Sequence, residues 1–116
     1  MSMRVLVVDD DEACRYLLER ELRAAGHEPI MHHDWTGVIE LLEGPDPVDA
    51  LITDMRLPAG TPNGISLAQM ARKRRPSLKI IFITSYPELM TEAPDRLGPV
   101  FLKGKGFDPV IAALVA

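Results

Sequence analysis

Short apolar runs alternate along this chain with longer stretches in which apolar residues recur every third or fourth position. That alternation narrows the available folds more than any other feature. Val5-Leu6-Val7-Val8 is a β-branched run of the kind that forms a strand buried on both faces. Cys14, Leu17, Leu18, Leu22 and Ala25 then follow a helical stripe that ends at Gly26, a residue suited to leaving a helix. Glu28 to Met31 reads as a short second strand. Asp34 is placed to cap a helix carrying Val38, Leu41 and Leu42, which stops before Gly44-Pro45. Ala50-Leu51-Ile52-Thr53 is a third strand, followed by a Pro/Gly-rich loop from Pro58 to Gly64. Ile65, Ala68 and Ala71 mark a third helix, closed by Arg72-Lys73-Arg74-Arg75 before Pro76. Lys79 to Thr84 is a fourth strand, Pro87 to Leu97 a poor fourth helix broken by Pro94, and Val100-Phe101-Leu102 a fifth strand. Asp108 as cap and Pro109 at the first helical position open a last helix with Val110, Ile111, Leu114 and Val115.

Strands and helices in strict alternation imply right-handed βαβ units and a parallel sheet covered by helices on both faces. Such a five-stranded, doubly wound α/β sheet takes the order 2-1-3-4-5, and its binding crevice lies beyond the carboxyl ends of the strands. A chain of 116 residues suits one domain, expected here over residues 1–116 with no output domain. No stretch approaches a membrane span, and none reads as a secretory signal. The single cysteine, Cys14, excludes an internal disulfide and fits a cytoplasmic location. A net charge of −4 argues against direct nucleic-acid binding.

The residues just after the strands carry the chemistry. They are Asp9-Asp10 after the first, Asp54 after the third, Thr84-Ser85 after the fourth and Lys103 after the fifth. With strands 1 and 3 adjacent, Asp9, Asp10 and Asp54 converge. Carboxylates that close raise one another's pKa unless a cation sits among them, and a few carboxylates completed by water suit Mg²⁺. A lysine and a hydroxyl facing the same cluster could hold a phosphoryl group carried on one carboxylate.

These segments resemble the receiver domains of response regulators, the CheY-like family of two-component signalling, and the likeness runs over essentially the whole chain. It is carried by Val5 to Glu12, by Leu51-Ile52-Thr53-Asp54-Met55-Arg56-Leu57-Pro58, by Ile83-Thr84-Ser85 and by Leu102-Lys103. The resemblance implies a flavodoxin-like fold and a switch or phosphorelay intermediate phosphorylated on Asp54. The donor would be a sensor histidine kinase or histidine phosphotransfer protein, with Mg²⁺ as cofactor. Asp10 becomes a direct metal ligand, Asp9 an acid reaching the metal partly through water, and Arg56 the donor of a backbone carbonyl. Thr84 resembles the switch hydroxyl, Ser85 the small residue that leaves access, and Lys103 the lysine that pairs with phosphoryl oxygens. Family members also lose the phosphoryl group by self-hydrolysis. Their downstream protein partners are met through the fourth helix, fifth strand and last helix.

Three features depart from the family pattern. The loop Pro58 to Gly64 is two residues longer than usual. The site lysine is followed by Gly104 rather than proline: aligning from the strand selects Lys103, and aligning back from Phe107-Asp108-Pro109 selects Lys105. Lys103 is preferred because neither glycine then lies inside the strand. The position of the aromatic switch residue holds Val100, with Phe101 one place off. Other functions remain open: a binding-only pseudo-receiver, a receiver cut from a larger hybrid kinase or regulator, and a small aspartyl-phosphate phosphatase. Haloacid-dehalogenase-type phosphatases place a second acid two residues after the nucleophile, where this chain has Arg56. His32-His33 reads as a structural or solvent-facing pair, Arg72 to Arg75 as helix-end charge, and Cys14 as core.

Overall fold

The computed structural model describes residues 2–57, 63–93 and 96–116. Its elements are β1 (Arg4–Val8), α1 (Glu12–Ala24), β2 (Glu28–His32), α2 (Thr36–Glu43), β3 (Ala50–Asp54), α3 (Gly64–Arg74), β4 (Lys79–Thr84), β5 (Val100–Leu102) and α4 (Asp108–Leu114). The five strands form one parallel sheet in the order β2-β1-β3-β4-β5, as the alternation predicts. Among the described residues, no helix is long and apolar enough to cross a membrane.

Alternate residues of the inner strands feed two separate cores. Leu6, Val8, Leu51, Ile80 and Phe82 face α2 and α3, where they meet Val38, Leu42, Leu67 and Ala71. Val5, Val7, Ile52, Ile81 and Ile83 face α1 and α4, against Leu18, Leu22, Val110 and Leu114. The period of two along each strand is therefore spent on two apolar layers, which explains why β1 and β4 read as unbroken apolar runs.

Local signals set the helix ends. Asp11 Oδ1 accepts the amide protons of Ala13 and Cys14 and caps α1, which ends before Gly26 at φ +88°. Asn63 Oδ1 accepts from Ser66 N–H at 2.8 Å and opens α3. Asp34 lies one position before the cap of α2 and accepts from Thr36 N–H at 3.0 Å, with Trp35 at the cap position and packed on the core. Asp108 is the first residue of α4 rather than its cap; Phe107 holds that position and makes no capping bond. Burying Val110 and Leu114, at about 2 kcal/mol each, outweighs the ~1 kcal/mol of a missing cap.

The helix expected between Pro87 and Leu97 does not form in the described residues. A single 3-10 turn at Pro87–Leu89 takes its place, with bends to Ala93. The chain thus has four α-helices among the described residues, where the sequence pattern predicts five. Leu89, Ala93 and Leu97 still pack on the sheet, but a proline at 94 denies a continuing helix one of its backbone bonds. Pro94 itself, and the loop from Pro58 to Pro62, lie outside the described residues.

The basic run at the end of α3, Arg72 to Arg75, does more than offset a helix dipole. Arg72 donates to the carbonyls of Arg96 (3.2 Å) and Leu97 (2.9 Å). Arg75 donates to those of Leu42, Gly44 and Asp46 at 2.7–3.1 Å, tying the end of α2 to the end of α3.

Candidate functional site

The hydrogen-bond ladder of the sheet continues one residue past its strand ends, and this places the site. Asp9 N–H donates to the His32 carbonyl (3.1 Å), Met55 N–H to Ile83 (3.0 Å) and Lys103 N–H to Thr84 (2.8 Å). Asp9, Asp54 and Lys103 are therefore aimed by sheet backbone rather than by free loops.

Asp9 is fully buried and Asp54 nearly so, whereas Asp10 is exposed. One carboxylate oxygen from each of Asp9, Asp10 and Asp54 lies within 4.8 Å of the others, the one such cluster among the described residues. Lys103 reaches in from the end of β5, its Nζ 2.7 Å from both Asp9 Oδ2 and Asp54 Oδ2. Lys105 is exposed on the following turn. Further bonds fix the acids: Asp9 Oδ1 accepts from Asp11 N–H (2.9 Å), and Asp54 Oδ1 from Arg56 N–H (3.1 Å). Arg15, on α1, donates from Nη1 to the Asp9 carbonyl at 2.7 Å.

Three carboxylates against one ammonium leave the pocket short of positive charge. Burial pushes the Asp54 pKa above the usual carboxylate range and Asp9 adds to the rise, while Lys103 opposes both. Burial also works against the charge on Lys103, but its hydrogen bonds to Asp54 and Asp9 prevail and hold its pKa above the ordinary lysine value. A hard cation among the three acids would relieve the imbalance. An all-oxygen donor set with one member open to water fits Mg²⁺.

The crevice above the acids encloses about 230 Å³ and is lined by Asp10, Asp54, Arg56, Ser85, Tyr86 and Lys103 among others. Ser85 is exposed at its edge. Thr84 is fully buried and does not line the crevice; its Oγ1 accepts from Tyr86 N–H at 3.0 Å. Tyr86 and the side chain of Arg56 form a contact that sequence reasoning misses: the guanidinium carbon sits 4.3 Å from the ring centroid. An aromatic two residues past Thr84 is the available signal, although Tyr86 falls between the strand ending at Thr84 and the helix expected from Pro87.

The remaining candidates stand apart. His33 is exposed beside Asp34 (3.3 Å), and burial lowers the pKa of His32; neither belongs to the carboxylate cluster. Cys14 is buried on the α1 side of the sheet. Burial, followed by its hydrogen bond to Asp9, pushes its thiol up to about 12. At pH 8 iodoacetamide should therefore label the folded chain roughly a thousandfold more slowly than the urea-unfolded chain, read by intact mass. Equal labelling rates would contradict the buried placement.

Comparison with known proteins agrees with this geometry. A family model described as "Response regulator receiver domain" matches residues 5–94. The chain is 35% identical over 85 residues to the DNA-binding transcriptional regulator NtrC of Escherichia coli K12, covering 73% of this chain and 18% of NtrC. It is 34% identical over 85 residues to the response regulator MprA of Mycobacterium ulcerans, covering 73% of this chain and 35% of MprA. The chain thus spans about a fifth to a third of these curated relatives. Its fold superposes on the response regulator TrrA of Thermotoga maritima, solved in complex with Mg²⁺-BeF, with a TM-score of 0.80 and 28% identity. That match covers 95% of this chain and 94% of TrrA.

Proposed function

The chain belongs to the response regulator receiver domain family, and on that premise we propose that Asp54 accepts a phosphoryl group from a histidine kinase or histidine phosphotransfer protein. The observation that carries this reading is the buried Asp54 carboxylate, 2.7 Å from Lys103 and clustered with Asp9 and Asp10 beyond the ends of β1 and β3.

In the proposed step an Asp54 oxygen attacks the phosphorus of phosphohistidine. The P–N bond breaks, and the imidazole leaves with the electron pair and takes up a proton. Asp9, Asp10, Asp54 and the Arg56 carbonyl would hold Mg²⁺, which when bound neutralises charge on the transferring group. Lys103 already touches the oxygen that would carry the phosphoryl group, so its ammonium needs only a short move to meet the new phosphoryl oxygens. Thr84, buried and accepting from Tyr86 N–H, would turn its hydroxyl towards the phosphoryl group to donate its proton there. Exposed Ser85 keeps the approach open. Water returns the site to its starting state by attacking the same phosphorus and releasing phosphate. The unit proposed is a single receiver domain over residues 1–116. It would report its state to a protein partner through the 3-10 turn at Pro87–Leu89, β5 and α4, since among the described residues that turn stands where a helix between β4 and β5 is expected.

The test uses the full chain with Mg²⁺ and acetyl phosphate. Wild type should gain the mass of one phosphoryl group, Asp54→Asn none, and EDTA should abolish the gain. An unmodified wild type, or an equal gain by Asp54→Asn, would reject the proposal in favour of a binding-only domain or a different acceptor.

A further inference from the structure

A second cleft lies between α3 and the segment that leads into β5. It encloses about 520 Å³, within the ~300–1,000 Å³ usual for small-molecule sites. Three cations line it from two stretches of chain: Arg72 and Lys73 in the last turn of α3, and Arg96 on the approach to β5. Arg72 is held in place, because its guanidinium donates to the carbonyls of Arg96 (3.2 Å) and Leu97 (2.9 Å). Its Nε is buried and has no hydrogen-bond partner among the described residues. Within those residues none of the three cations is paired with an acid, whereas Arg74, next along the helix, meets Glu43 at 3.7 Å. Ser66 and Gln69 add neutral polar groups to the wall, and Met70 and Leu97 make part of it apolar.

We propose that this cleft is a second ligand site, separate from the acceptor crevice, and that it binds a nucleoside monophosphate. A phosphate monoester carries about −1.5 to −2 charges at neutral pH, which suits a cluster of cations with no acid among them. The planar guanidinium of Arg96 matches phosphate oxygens in pairs, and Lys73 adds a mobile ammonium. Met70 and Leu97 offer an apolar surface for the base, and a methionine sulfur packs well against an aromatic ring. The Gln69 amide can both donate to the edge of a base and accept from it. The plainer reading is a basic helix end turned to solvent. Two observations favour the site: the charge converges from stretches 24 positions apart, and it does so on a partly apolar wall that Arg72 itself fastens. Neither Asp54 nor Mg²⁺ takes part, so the site stands or falls apart from the acceptor reading.

The test is an NMR titration of the ¹⁵N-labelled full chain in EDTA with AMP, and separately with adenosine, inorganic phosphate and hexaglutamate. AMP should give saturating shifts at the amides of Ser66 to Lys73 and of Arg96 and Leu97, with a Kd below about 1 mM. Adenosine and inorganic phosphate each offer half of the contacts and should bind at least about tenfold more weakly. The double variant Lys73→Ala/Arg96→Ala should weaken AMP by about tenfold, through the loss of two charge-assisted contacts. Both side chains are exposed, so this variant should melt and gain a phosphoryl group from acetyl phosphate as wild type does. Arg72 stays unaltered, because its removal would also free two carbonyls. Lys105→Ala, which removes an exposed charge elsewhere, should bind AMP like wild type. No saturation by AMP at about 1 mM, shifts confined to the surroundings of Asp54 and Lys103, or undiminished affinity in the double variant would overturn the site. Inorganic phosphate binding as tightly as AMP would reduce it to an unselective anion patch, and tighter binding of hexaglutamate would make it a protein-docking surface; either result overturns the proposal. Normal phosphoryl gain beside any of these failures leaves the acceptor assignment standing.

Discussion

In metal-free buffer, Lys103→Ala should lose about 3 kcal/mol of stability, a fall of roughly 10 °C in melting temperature. Lys105→Ala should melt with the wild type. Lys103 has a side chain only 11% exposed and is shared between Asp9, which is wholly buried, and Asp54. Removing it leaves two carboxylates facing each other and Asp10 with no counter-charge, and an orphaned buried charge costs far more than the pair itself contributes. Mg²⁺ should restore much of the loss, because a cation among the three acids replaces the missing ammonium. Falling pH should do the same by another route. Burial has already raised the Asp54 pKa, and taking away Lys103 removes what opposed that rise. A group whose folded pKa exceeds its unfolded value binds its proton more tightly when folded, so the deficit is greatest above the carboxylate range and shrinks as the acid protonates. Melting curves of the three proteins in EDTA, in Mg²⁺ and across the acid range would check each part. The reverse order of the two lysine variants would transfer the site to Lys105, and matching behaviour would abolish the distinction. In phosphoryl gain and in the NMR shifts that follow it, Lys103→Ala should likewise be the weaker responder.

Gly64→Ala should be comparably severe, for a steric reason. A Cβ on Gly64 would stand 2.0 Å from the Asp54 carbonyl oxygen and 2.9 Å from both Asp54 C and Met55 Cα. Every one of those atoms is main chain, so no flexible side chain can yield. Gly64 N–H also donates to the Met55 carbonyl at 3.0 Å, which locks the start of α3 against the end of β3. Relief requires α3 to back away or the acceptor strand to shift, at a cost of about 3 kcal/mol and roughly 10 °C. Because the displaced strand end carries Asp54, phosphoryl gain should slow even at temperatures where the variant is folded. The control is Gly104→Ala, where a Cβ meets nothing within 4 Å and the strain comes only from a φ of +85°. Its cost should be nearer 1 kcal/mol with phosphoryl gain little changed. If Gly64→Ala melts and reacts like Gly104→Ala, the close approach to Asp54 is without consequence.

Much of this molecule was legible in its residues. The runs Val5–Val8, Ala50–Thr53 and Lys79–Thr84 announce strands covered on both faces, and their alternation with helical stripes leads to a parallel sheet in the order β2-β1-β3-β4-β5. The elements follow from periodicity, which acts within one element and needs no knowledge of neighbours, and the order follows from the rule for doubly wound five-stranded sheets. The gathering of Asp9, Asp10 and Asp54 was also within reach, because a parallel sheet puts all its strand ends on one edge. The glycines around it already favour Lys103 over Lys105 in the sequence, and the tertiary structure sets its ammonium against Asp9 and Asp54. Tertiary structure alone replaced a fourth helix by one 3-10 turn, stacked Arg56 on Tyr86, set Gly64 against Asp54 and sent Arg72 and Arg75 to carbonyls of other segments. These contacts, apart from the lost helix, join residues from 10 positions apart (Gly64 and Asp54) to 94 (Lys103 and Asp9), brought together by the path of loops. Local pattern decides which elements form, whereas the contacts between their ends depend on distances that no single element encodes.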